Sequence, residues 1–186
     1  SPNHVWTWDF IHDRTMVRGP LKLLSLVDEY TRECLALEVS GSITAQNAIA
    51  VLRRQFLVRG APACIRSDNG PEFIAKAIQG WLGSASVETL YVAPGSPWEN
   101  GYAEAFHSRL RDEFLNMEAF ASVKEAQALA NLWRRDYNQE RPHSSLGYLT
   151  PIEFRERCGQ DATTVESDQT RPDREPEGSR YEWYRN

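Results

Sequence analysis

The chain has 186 residues, 41% of them apolar and 25% charged, with a net charge of −5. That length gives one domain with a full hydrophobic core and a tail. No apolar run approaches the ~20 residues that cross a bilayer, and the first residues lack the basic-then-apolar pattern of a secretory leader. Cys34, Cys64 and Cys158 are scattered, with no CxxC pair. This excludes a disulfide framework and zinc-finger spacing, and predicts a reducing, cytoplasmic setting.

In chain order, residues 4–11 alternate as a strand does, with Trp6, Trp8 and Phe10 on one face and Val5, Thr7, Asp9 and Ile11 on the other. The segment DRTMVRGP supplies turn signals. Two further strands, 21–28 and 34–40, follow with a short connection, which predicts an antiparallel meander. A helix is predicted from Ile43 to Val58, with an apolar stripe of Ile49, Leu52, Phe56 and Leu57, ended by Gly60 and Pro62. The strand ACIRS leads into DNGPEF, and Pro71 suits the first turn of a second helix running to about Gly83. Val87 to Ala93 is a strand and PGSPWENG (94–101) a loop. Long helices are predicted over 100–117 and 122–138, then a loop, RPHSSLGYLTP, and a short final helix from Pro151 to Arg157. The order of elements gives an α/β fold, a mixed sheet flanked by helices. Residues 1–158 form the folded unit. Residues 159–186 are polar, and 158–186 hold seven acids and four bases, so this tail is expected to be disordered.

Three carboxylates stand out along this order. Asp9 sits mid-strand, where propensity disfavours it; an arginine partner on an edge strand would also account for it. Asp68 follows a strand in an α/β fold, the usual place for catalytic groups, although a turn or helix-capping role explains it equally well. Glu104 lies on a helix whose Phe106, Leu110 and Met117 share one side, while Glu104, Ser108 and Arg111 lie nearly opposite with His107 at their edge. Alone, Glu104 reads as part of a solvated face. Together, three hard oxygen donors on separate elements are what two Mg²⁺ or Mn²⁺ ions need to clamp an in-line phosphoryl displacement.

On these residues the chain resembles the integrase core of bacterial insertion-sequence transposases, the insertion-sequence-three family, within the retroviral-integrase superfamily. The matching elements are Trp8-Asp9, DNGPEF (68–73), PGSPWENGYAEAF (94–106) and YN-x-x-RPHSSLGY-x-TP (137–151), with thirty-five residues between Asp68 and Glu104. The resemblance implies a ribonuclease-H-like, five-stranded mixed sheet. It implies Asp9, Asp68 and Glu104 as catalytic metal ligands for two ions, and Arg111, assisted by Arg109, as contacts to transposon-end DNA. It further implies transposon ends and target DNA as partners, a homo-oligomer on DNA, and a helix-turn-helix region upstream of the residues given. Two rivals share part of the pattern: a ribonuclease-H-like nuclease acting on hybrids, and a non-catalytic remnant of a decayed transposon.

The remaining polar residues have blander readings. Asp28 is expected to pair with Arg32, His107 to be a partly buried helix residue, and Asn69 and Glu72 to shape the turn after Asp68. RPHSSLGY is expected to form a structural corner rather than a DNA contact through Arg141 and His143. Arg53, Arg54, Arg59 and Arg66 form the densest basic patch, fit for DNA backbone contact or for a solvated face. A net charge of −5 is not the footprint of a DNA-binding protein.

Overall fold

The computed structural model describes residues 1–17, 19–68, 76–92 and 101–169. Five strands, β1 (Val5–Arg14), β2 (Pro20–Asp28), β3 (Cys34–Ser40), β4 (Cys64–Ser67) and β5 (Glu88–Tyr91), form one sheet in the order β3-β2-β1-β4-β5. The first three make the predicted antiparallel meander, and β4 and β5 add in parallel on the other side of β1. Asp9 therefore lies on the central strand.

The helices are α1 (Ala45–Arg59), α2 (Lys76–Ser84), α3 (Gly101–Leu110), α4 (Val123–Gln139) and α5 (Pro151–Gln169). The two-residue period of β1 assigns its faces. Trp6 and Trp8 join Leu26, Ile49, Leu52, Ile65 and Leu82 in the core beneath α1 and α2. Ile11, on the opposite face, joins Leu23, Val39, Phe106, Leu110 and Phe114 in the core beneath α3 and α4. Thr44 caps α1 with a reciprocal side-chain–backbone box to Asn47, and Ser122 caps α4 by accepting from the Glu125 amide at 3.2 Å. Asn138, near the end of α4, accepts from Cys34 N and donates to Cys34 O, each at 2.9 Å, so this helix is latched to the start of β3.

Several expectations need correction. The expected long helix over 100–117 ends at Leu110 and passes into a π-helical turn, Arg111–Leu115, where Asn116 N donates to Arg111 O at 2.8 Å. The wider turn shifts the facing: Phe114 and Leu115 enter the core, and Met117, expected there, is exposed. Leu57 is also exposed, because the buried stripe of α1 is Ala48, Ile49, Val51 and Leu52. The final helix runs twelve residues beyond Arg157, to Gln169. Those twelve residues, CGQDATTVESDQ, carry no apolar period that would announce a helix. The first part of the expected tail is thus helical, while residues 170–186 lie outside the described residues, as do Asn69, Glu72 and most of PGSPWENG. Among the described residues no helix is long and apolar enough to cross a membrane.

Candidate active site

The parallel pairing of β1 and β4 brings the two aspartates to neighbouring positions. Its last paired residues are Thr7 and Arg66. Asp9 and Asp68 each stand two residues further on, Asp68 directly after the C-terminal end of β4. Adjacent strands lie ~4.8 Å apart, and a step of two returns each side chain to the same face. The strand pairing thus runs both backbones toward the same edge, with Asp68 just past the C-terminal end of β4. Asp68 is exposed, and the Asp9 side chain retains 18% of its surface, with Oδ1 accepting from Phe10 N at 2.7 Å.

The third carboxylate arrives on α3, which packs on β1. Ala103, Phe106 and Leu110 bury its inner stripe and leave Glu104, Ser108 and Arg111 exposed, as their helical spacing predicts. His107, one turn after Glu104, sets the register. Its Nδ1 stands 3.4 Å from Asp9 Oδ2, and its Nε2 3.1 Å from Ser25 Oγ. Ser25 is the cross-strand partner of Asp9, and its Oγ lies 3.3 Å from Asp9 O. Burial, followed by the Arg111 charge, holds the His107 imidazole down to about 4. The ring is therefore neutral near pH 7, and its approach to Asp9 is a dipolar contact rather than an ion pair. Ser25 was missed in the sequence. Its signal was a lone hydroxyl in the apolar run LKLLSLVD.

Among the described residues no group of three or more His, Cys, Asp or Glu side chains stands in metal-holding geometry. Hard oxygen donors on β1, after β4 and on α3 are of the chemical type that divalent cations take. Asp28 does not belong to this set. It is buried and caps its own turn, Oδ1 accepting from Tyr30 N at 2.8 Å and Thr31 N at 3.0 Å, and Oδ2 from Asn3 N at 2.6 Å. The expected Asp28–Arg32 side-chain pair is replaced by these amides, and the Arg32 guanidinium instead lies 3.8 Å over the Tyr102 ring.

The expected basic patch is largely neutralised. Arg54 pairs with Glu38, Arg59 with Glu33 at 2.5 Å, and Arg66 with Glu29 at 2.8 Å. Arg111 is exposed on the Glu104 side of α3, whereas Arg109 is half-buried with Nη1 3.4 Å from His143 Nδ1. The two arginines do not share a face. RPHSSLGY forms the predicted corner: a 3₁₀ turn at Ser144–Leu146, left-handed residues Gly147 and Tyr148, and a bridge between His143 and Leu149.

Two family models, both described as integrase core domain, match residues 1–97 and 85–151. The chain belongs to the integrase core domain family. Relatives of this core include an uncharacterized 39.2 kDa protein of insertion element IS476 from Xanthomonas euvesicatoria, 38% identical over 82% of this chain and 44% of its own length. A 31.7 kDa protein of element IS407 from Burkholderia multivorans is 38% identical over 83% of this chain and 56% of its own. The transposase InsF of insertion sequence IS3A from Escherichia coli K12 is 29% identical over 83% and 54%. The chain thus spans about half the length of these relatives. Among solved structures, the catalytic core of HTLV-2 integrase with magnesium superposes with a TM-score of 0.61 at 20% identity, over 82% of this chain and 96% of that one. The BIV integrase core gives 0.62 at 21%, over 90% and 97%. These likenesses establish the retroviral-integrase, ribonuclease-H-like fold of the integrase core described above.

Proposed function

We propose that this integrase core is the catalytic domain of a DNA transposase, with Asp9, Asp68 and Glu104 as catalytic residues that hold two Mg²⁺ or Mn²⁺ ions. The observation that carries the reading is the placement of Asp9 and Asp68 two residues past the Thr7–Arg66 pair on adjacent parallel strands, with α3 set on β1 through His107. When bound, the ions would supply the positive charge that steadies attacking and leaving oxygens in an in-line displacement at phosphorus. Asp9, on the central strand, would hold the ions together with Asp68, just past the end of β4, and Glu104, on the exposed face of α3. Arg111, on the Glu104 side of α3, holds DNA rather than reacting.

The reaction is hydrolysis followed by transesterification. Water opens a phosphodiester at a transposon end and frees a 3′-hydroxyl. That hydroxyl attacks a target phosphate, forming one P–O bond as another breaks, with no covalent protein intermediate. Transposon-end and target DNA are the substrates, and the protein works as a homo-oligomer on DNA in the bacterial cytoplasm. Support comes from neighbours described as an intasome and as dimeric and trimeric integrase cores. The test is a metal-dependent cleavage and strand-transfer assay on end-sequence oligonucleotides. Asp68→Asn should lose both steps, by at least about a thousandfold, with an unchanged circular dichroism spectrum. Wild-type rates in that variant would remove the assignment. Activity confined to RNA–DNA hybrids would instead favour a hybrid nuclease.

A further inference from the structure

A second pocket lies on the other side of α3. It has a volume of about 450 Å³ and is walled by the turn after β2, by α3 and by the 141–149 corner. Arg109 and Tyr102 enter it from α3, rotated roughly 140° and 160° around the helix from Glu104. Arg32, Tyr137, His143 and Ser145 complete its polar lining, and among the described residues no carboxylate lines it.

Among the described residues this lining is richer in cationic donors than in acceptors, which are the hydroxyls of Tyr102, Tyr137 and Ser145 and one His143 ring nitrogen. Arginine only donates, so His143 Nδ1, 3.4 Å from Arg109 Nη1, is the accepting nitrogen and the ring proton sits on Nε2. His143 is 4% exposed, and its Nε2 has no hydrogen-bond partner among the described residues. A buried donor left without an acceptor costs free energy that folding alone does not return. The arginines repeat the pattern. Arg54, Arg59, Arg66, Arg141 and Arg155 each pair with a glutamate. Among the described residues neither Arg32 nor Arg109 has a carboxylate partner; Arg32 lies over Tyr102 and donates to Glu29 O. Arg32 is also held in a left-handed backbone conformation, φ 62°. Burial, followed by the charges of Arg109, Arg141 and Arg32, presses the His143 imidazole down to about 4.

We propose that this pocket is a phosphate-binding site, with Arg32, Arg109 and the Nε2–H of His143 as the donors, separate from the catalytic carboxylates. A tetrahedral oxyanion supplies several acceptors at once to guanidinium forks and a ring N–H. The space exceeds one anion and is bordered by the half-exposed ring of Tyr102, which suits a nucleotide unit of a DNA strand. Only this last step, the DNA source of the phosphate, rests on the transposase reading.

The test uses the whole chain, histidine-labelled, in chelator so that no cutting occurs. The four histidine rings are followed by NMR, with His143→Gln assigning the resonance. A short single-stranded oligonucleotide should shift the His143 ring saturably. Its uncharged methylphosphonate analogue should not, a comparison that needs no substitution. Arg109→Gln and Arg32→Gln should each weaken the response about tenfold, the loss of one charge-assisted contact. Should either variant misfold, the analogue comparison on wild type decides alone. A response to inorganic phosphate with none to the oligonucleotide would uphold the oxyanion site and overturn its DNA source. No response to either probe, or equal response to the methylphosphonate, would overturn the site. A chain that binds in chelator but never cuts DNA would leave this inference standing and remove only the catalytic assignment.

Discussion

Asp9 Oδ2 and His107 Nδ1 stand 3.4 Å apart, and the same imidazole reaches Ser25 on β2. One ring therefore ties β1, β2 and α3 together at the point where Glu104 must be delivered. His107→Leu should lower strand-transfer rates about 10–100-fold, as expected for a residue that orients a ligand rather than being one. His107→Gln should restore part of the loss. Single-turnover rates of both variants, with melting temperatures as control, check this; equal rates in all three proteins would show that the contact positions nothing.

His107 and His143 are both held at about 4 against an ordinary 6.5, chiefly by burial and then by Arg111 and Arg109 respectively. The folded value lies below the unfolded one, so the unfolded chain takes up protons first as pH falls. Their contribution to stability is complete above pH 6.5, declines through the window down to about 4, and is spent below it. Urea midpoints should therefore drop between about pH 7 and pH 4.5, and His143→Gln should flatten part of that slope. A midpoint constant across the window would contradict the shifts.

Asp28 accepts three backbone amides from a buried position. Removing a charged acceptor leaves those donors unsatisfied, at roughly 1–3 kcal/mol for the first and less for any that reach water. Asp28→Ala should cost about 3 kcal/mol in urea unfolding, and Asp28→Asn less. If Asp28 were instead a metal ligand, the variants would lose metal response with little change in stability.

Arg111 is exposed beside Glu104 and begins the π-helical turn. Arg111→Ala should weaken DNA binding and reduce its salt dependence by about 0.9 in log–log slope, one phosphate's worth. Fluorescence anisotropy over a salt series measures it. An unchanged slope would mean that the side chain faces water.

Much of this was legible because periodicity is local. The alternation around Asp9 fixed its face, and Phe106 and Leu110 fixed that of Glu104, although Met117, read on the same side, is exposed. Partnerships were not legible, since they depend on what the fold brings near. Asp28 met amides rather than the Arg32 side chain, and three arginines of the basic patch met glutamates from other elements. The π-helical turn has no residue signature; only Met117, expected inside and found outside, betrays it. The extension of α5 past Arg157 was hidden because its sequence carries no apolar rhythm.

One arrangement bears on how the start of α5 is held. Asn3 donates to Asp28 Oδ2 at 2.6 Å and to Arg59 O at 3.1 Å, while Glu33, just past the same turn, binds Arg59 and, at 3.0 Å, Arg155 of α5. Stretches far apart in the chain, at Asn3, the Asp28–Glu33 turn, the end of α1 and the start of α5, thus share one anchorage, so a break at Glu33 would loosen α1 and α5 together.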